Sequence, residues 1–115
     1  MERITHAMIT DTFLGREDHG IFTFYIGLQA DSYYISFGGY ELDEYDGRSR
    51  KRVFTNKGLK AISDVLEVVG VDNWEKLKGR QIKVVDRGWR YGIDEIISLD
   101  GTKRFNIREF FKEGE

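Results

Sequence analysis

Two polar segments framed by glycine hold the residue types most able to do chemistry. They are LGREDHG at Leu14–Gly20 and FGGYELDEYD at Phe37–Asp46. Carboxylates and imidazoles are the usual metal ligands and acid–base groups. In the first segment Glu17, Asp18 and His19 stand together, with His6 and Asp11 upstream. A catalytic metal centre needs about three ligands converging from defined directions. Adjacent residues of one short loop rarely converge in that way, and no H-x-x-x-H, H-E-x-x-H or EF-hand spacing is present. A solvated turn in which Asp18 or His19 bonds the backbone accounts for the same residues. A metal-dependent hydrolase using Asp11, Glu17, Asp18 and His19 is therefore an alternative, and no metal ligand is assigned.

In the second segment Gly38 and Gly39 permit close backbone approach, and Tyr40 adds a ring face and a hydroxyl. The pattern is not G-x-G-x-x-G and starts no helix, so it implies no phosphate loop. It reads either as a ligand or partner contact or as a bulge where a strand ends. A third group, Arg87-Gly88-Trp89-Arg90-Tyr91, combines cations with aromatics, as nucleic-acid binding requires. The chain's pI of about 5.7 and net charge of −2 lack a nucleic-acid binder's positive surplus. A nucleic-acid module using Arg87, Trp89 and Arg90 is kept as a second alternative. No cysteine nucleophile and no G-x-S-x-G elbow exist. No catalytic residue and no cofactor are assigned, and nothing in the sequence asks for an enzyme.

These segments need elements to position them. A chain of 115 residues, 40% hydrophobic and 14% aromatic, makes a single domain, residues 1–115, with a true core. Arg3 to Leu14 reads as a first strand whose imperfect alternation admits a bulge. Ile21 to Gln29 alternates cleanly, with Phe22, Phe24, Ile26 and Leu28 on one face. Gly15–Gly20 joins the two as a hairpin loop, and Tyr33 to Phe37 completes a three-stranded meander. The two glycine-framed segments then fall at one end of it. Gly38 to Arg52, rich in charge, reads as an exposed loop.

Thr55 or Asn56 caps a helix over residues 56–69, closed by Gly70. Its apolar stripe is Leu59, Ile62, Val65, Leu66 and Val69. Trp74 and Leu77 suggest a helical turn plugging the core, ended by Gly79. Gln81–Val85 and Tyr91–Leu99 read as a second hairpin turning at 86–90, and the tail as a short strand followed by a brief helix. The fold class is α+β: an antiparallel sheet of about five strands packed on one main helix.

Charge is unevenly distributed. Residues 1–46 carry two basic and nine acidic residues, a net −7, and residues 47–115 carry 16 basic and 11 acidic, a net +5. Such polarity steers a charged partner, unless the halves interleave and neutralise each other. The absence of cysteine suits a reducing compartment. No apolar run approaches the roughly 20 residues that span a bilayer, and MERITHAMIT is not a signal peptide. The expectation is a cytoplasmic protein without a membrane contact.

The strings TFLGREDHGIFT, FGGYELDEYD and TNKGLKAISDVLEVVGVDNWEKLKG resemble a group of small proteins encoded by bacteriophages and prophages. That group pairs an L-G-x-E-D-H-G-I turn with an F-G-G-Y-x-L-D segment. The resemblance spans roughly residues 3–85, and the last 30 residues fit it less well. Leu14, Gly15, Glu17, Asp18, His19, Gly20, Phe37, Gly38, Gly39, Tyr40, Leu42 and Asp43 match the pattern. It implies phage origin and the habit of small accessory phage proteins, which bind a host component, defence machinery included. The expected function is a non-enzymatic binding protein, an inhibitor of a host system, working in the host cytoplasm. Its expected binding residues are Glu17, Asp18, His19, Gly38, Gly39, Tyr40, Asp43 and Glu44, with a host protein as partner ahead of a small ligand or nucleic acid.

Overall fold

The longest strand, β1 (Ile4–Arg16), is shared by two neighbours and sets the layout of the sheet. A computed structural model describes residues 3–88 and 90–112. On one side β1 pairs antiparallel with β2 (Phe22–Ala30), from Ala7↔Ala30 to Arg16↔Phe22. The register slips between Ile9 and Asp11, so Thr10 is the extra residue of a β-bulge, as the broken alternation suggested. On the other side Ile4–Met8 pairs with β6 (Gln81–Val85). β3 (Tyr33–Gly38) follows β2 after a two-residue turn and pairs with it from Ala30↔Tyr33 to Tyr25↔Gly38. β7 (Glu95–Ile97) and β8 (Arg104–Asn106) complete an antiparallel sheet in the order β3-β2-β1-β6-β7-β8. The architecture is α+β and largely sheet.

This sheet is strongly rolled. Six strands laid flat would hold β3 and β8 roughly 24 Å apart, at about 4.8 Å per strand spacing. Instead Phe37 of β3 and Phe105 of β8 bring their rings to 6.3 Å. Phe24 stacks near Phe37 on one flank and meets Trp74 at 5.4 Å on another. The inner face of β2 is Phe24, Ile26 and Leu28, all fully buried, as its alternation requires.

α1 (Asn56–Val69) covers the rolled sheet, packing on β7, β8 and α2 (Ile107–Lys112). Thr55 caps it: its hydroxyl oxygen accepts the Gly58 N–H at 2.9 Å. Gly70 ends it at φ 88°, and its N–H reaches the Leu66 carbonyl. The buried face is Gly58, Ala61, Val65 and Val68, which corrects the expected stripe. Leu59 is turned out to solvent, and Ile62, Leu66 and Val69 lie at the margin. The smallest residues face inward because the helix lies so close. Trp74–Lys76 forms the expected helical turn, and Leu77 behind it is fully buried.

Two further expectations are corrected. The segment 38–52 is not an exposed loop: Asp43–Asp46 (β4) and Lys51–Phe54 (β5) form a separate hairpin, and Leu42 is buried. The antiparallel sheet expected with about five strands has six, with this hairpin beside it. The second hairpin turns over residues 86–94 instead of 86–90, since β7 begins at Glu95 and Tyr91 is exposed. Glu95 at the start of β7 pairs with Arg104 of β8 at 2.7 Å.

Gly58 sits where α1 crosses the chain at Leu42. A Cβ there would lie 2.1 Å from the Leu42 carbonyl oxygen. Alanine normally stabilises a helix interior by about 1 kcal/mol over glycine. Here Gly58→Ala is expected to lower stability instead, by about 1–3 kcal/mol of overpacking, read from urea denaturation midpoints.

Candidate functional site

The first four residues of β2 position both glycine-framed segments. The loop after β1 turns through a 3₁₀ turn at Asp18–Gly20, with the Glu17 N–H donating to the Ile21 carbonyl. On the other side the chain leaving β3 hugs β2. Gly39 donates to the Phe24 carbonyl and Leu42 to the Phe22 carbonyl, each at 2.8 Å. The Thr23 hydroxyl donates to the Tyr40 carbonyl at 2.7 Å. The two segments therefore lie at one end of the sheet, flanking Phe22–Tyr25. Gly15, expected in the loop, remains in β1 opposite Thr23.

The individual residues play different parts. Glu17 is exposed and accepts from the Tyr25 hydroxyl at 2.8 Å, which raises the Tyr25 pKa. Asp18 and His19 approach each other at 3.5 Å with side chains 88% and 84% exposed. His19 adopts the left-handed conformation at φ 61°, so the turn is built around it. Gly38 at φ 113° has no room for a Cβ, which would lie 2.5 Å from the Phe24 carbonyl oxygen. The close approach that this glycine permits is to β2, not to open space. Tyr40 lays its half-buried ring on Phe111, 5.2 Å away and 6° from parallel, and burial raises its pKa.

Asp43 departs most from its expected role. It is 4% exposed, and its Oδ1 accepts the Phe22 N–H at 3.2 Å and an Arg52 N–H at 2.8 Å. The same Arg52 nitrogen reaches Glu41 at 2.9 Å. Asp43 is thus a buried anchor, while its neighbours Glu41 and Glu44 are exposed. The bond from Arg52 is the main cause that holds the Asp43 carboxyl below its usual range, against an opposing effect of burial.

An apolar groove of about 400 Å³ opens between these segments and α1. Leu14, Phe22, Leu42, Phe54, Leu59 and Ile62 are its apolar lining. Phe54 and Leu59 are 65% and 68% exposed. The Arg16 guanidinium lies 5.7 Å from the Phe54 ring centre and 6.0 Å from that of Phe22. Gly38, Gly39 and Tyr40 do not line this groove. Sequence reasoning missed it because Phe54 has no place in any expected element and Leu59 reads as a core-facing helix residue.

Among the described residues the alternative metal cluster of Asp11, Glu17, Asp18 and His19 is not assembled. Asp11 lies in mid-strand opposite Gly27, where it accepts from the Tyr34 hydroxyl at 2.8 Å. Six residues of strand, roughly 20 Å, separate it from Glu17. Among the described residues no three His, Cys, Asp or Glu side chains are grouped to hold a metal. Arg87 is engaged with the Asp94 carboxylate and the Tyr91 carbonyl. Arg90 is exposed, and Trp89 lies outside the described residues. A further pair escaped sequence reasoning altogether. Tyr33 donates to buried Asp86, 53 residues away, and burial chiefly, with this bond, pushes the tyrosine pKa up to about 12.

No family model, curated protein or solved structure matches this chain. Among the described residues no helix is long and apolar enough to cross a membrane.

The Asp43 anchor has a pH signature. Its folded pKa is depressed, so its contribution is present above the unfolded value, about 3.9, and fades as pH falls through the folded one. Asp43→Asn is expected to cost about 1–3 kcal/mol at neutral pH. The gap between variant and parent should narrow in unfolding curves taken below pH 4 or so.

Proposed function

We propose that this protein is a phage-derived, non-enzymatic binding protein that engages a basic surface of a host protein, as an inhibitor of a host defence system would. The observation that carries this reading is the clustering of exposed carboxylates at one end of the sheet. Glu17 and Asp18 stand on one flank of Phe22–Tyr25, and Glu44, with Glu41 paired to Arg52, on the other. The first flank is closed by the Glu17 N–H on the Ile21 carbonyl just before β2, and the second is braced by backbone hydrogen bonds to β2, so the segments are held in place before a partner arrives. Pre-set charge of one sign speeds encounter with an oppositely charged partner and orients it. Asp43 supports this surface from within and is not one of its contacts. The resemblance to phage and prophage proteins supplies the expectation of a host target and of the host cytoplasm as the place of action.

The reading is tested by affinity capture from host lysate, followed by rebinding of each captured protein in purified form. Glu17→Lys combined with Asp18→Lys and Glu44→Lys should abolish capture, with the circular dichroism spectrum unchanged. Binding of the parent should weaken as salt rises, because exposed charges are screened within about 8 Å at physiological ionic strength. Equal capture by parent and triple variant would overturn the acidic-surface reading.

A further inference from the structure

We infer that the apolar groove beside Arg16 binds an amphipathic carboxylate: an aliphatic chain lying in the groove, with its carboxylate on the Arg16 guanidinium. The volume, about 400 Å³, falls within the roughly 300–1,000 Å³ of small-molecule sites. The walls offer a ligand mainly hydrocarbon. The polar side chains on them are those of Asn56, which is exposed, and Thr55, whose hydroxyl is already committed: it donates to the Leu42 carbonyl and accepts the Gly58 N–H. A ligand body with hydrogen-bonding groups would leave them unpaired there, whereas an aliphatic body loses nothing. Phe54 and Leu59 stand largely in water at the mouth, and covering them gains roughly 25 cal/mol per Å².

The charge at the mouth selects the head group. Arg16 and Arg3 are the only cations in residues 1–46, yet the Arg16 side chain makes no ion pair or hydrogen bond with any described residue. The carboxylates that might have claimed it are otherwise placed. Glu17 accepts from Tyr25, Asp18 faces His19, and Asp43 is paired with Arg52. The guanidinium lies instead over Phe22 and Phe54, two residues of the groove wall, with its N–H donors able to take a planar carboxylate in bidentate fashion. The first turn of α1, at the groove's other wall, contains no acidic residue to oppose an anion. An aliphatic cation would meet repulsion at Arg16, and a neutral alcohol would forgo the ion pair.

This inference does not rest on the host-binding reading, since it uses none of the exposed carboxylates. Decanoate, decanol and decyltrimethylammonium, each below its micelle threshold, are titrated into the full chain. Calorimetry and amide chemical shifts are the two readouts. Decanoate is expected to saturate at one per chain, shift the amides of Leu14, Leu42 and Leu59, and bind about tenfold or more tighter than the cation. Arg16→Gln should erase that preference while the chain still binds. Leu59→Ser and Phe54→Ser, both at exposed positions, should weaken all three ligands together, with the circular dichroism spectrum unchanged. Absence of saturable binding overturns the site. Equal affinity for the three ligands, or an unchanged preference in Arg16→Gln, overturns the carboxylate assignment.

Discussion

The peptide unit of Phe22 is the point on which this end of the molecule depends. Its N–H is taken by the buried carboxylate of Asp43, and its carbonyl by the Leu42 N–H. One residue of β2 is thus clamped by two consecutive residues from the far side of Tyr40. Removing a carboxylate from water costs several kcal/mol unless a counter-charge and hydrogen bonds replace the lost solvation. Arg52 supplies the counter-charge and brings β5 with it, and from β5 the chain passes through Thr55 into α1. A single buried charge therefore couples the start of β2, the β4–β5 hairpin and the helix cap. The floor of the groove, Phe22 and Leu42, is made of the two residues so clamped.

The rolling of the main sheet serves a related purpose. Edge strands expose unpaired peptide groups and invite association with other chains. Here the edges are drawn together by an aromatic series: Phe37 on Phe105, Phe105 on Phe110, and Phe110 on Phe111. Tyr40 joins that series by stacking on Phe111. The second glycine-framed segment is consequently tied to the C-terminal helix as well as to β2. Residues far apart in sequence share one packing unit, which is why the last residues matter to a surface built from the first 46.

Much of this was legible where one periodicity acted alone. β2 alternates, and three of the four residues on its read face, Phe24, Ile26 and Leu28, are buried, with Phe22 left at the groove; Thr55 and Gly70 bound the helix, one by its hydroxyl and the other by its left-handed backbone. The β4–β5 hairpin was not legible because its strands are four residues each and mostly charged. Its turn did leave a signal. Asp46 accepts from the Arg48 N–H and the Ser49 hydroxyl, the habit of an aspartate that opens a turn before glycine. Asp43 and Glu44 are indistinguishable by type, yet one is buried and the other exposed. The difference comes from register: Asp43 lies diagonal to Arg52 across the hairpin, within reach of a long side chain. Such a pairing cannot be read before the hairpin is known.

The groove follows from the same limits. In α1 the expected stripe centred on Ile62, and the observed face is turned by somewhat less than the roughly 100° between successive helical residues. The turn is forced at Gly58, where the helix meets the backbone of Leu42 with no room for a Cβ. With Gly58 and Ala61 directed inward, Leu59 cannot also be buried, since adjacent residues of a helix do not share a face. Leu59 and Ile62 are left on the flank beside Phe54, and the space between them and Leu14 stays open. A residue such as leucine at position 58 would push the helix outward and turn Leu59 toward the core, closing that space. Close packing at one glycine and an open apolar wall one residue later are thus two consequences of one helix orientation, and that orientation is set by the clamp on Phe22.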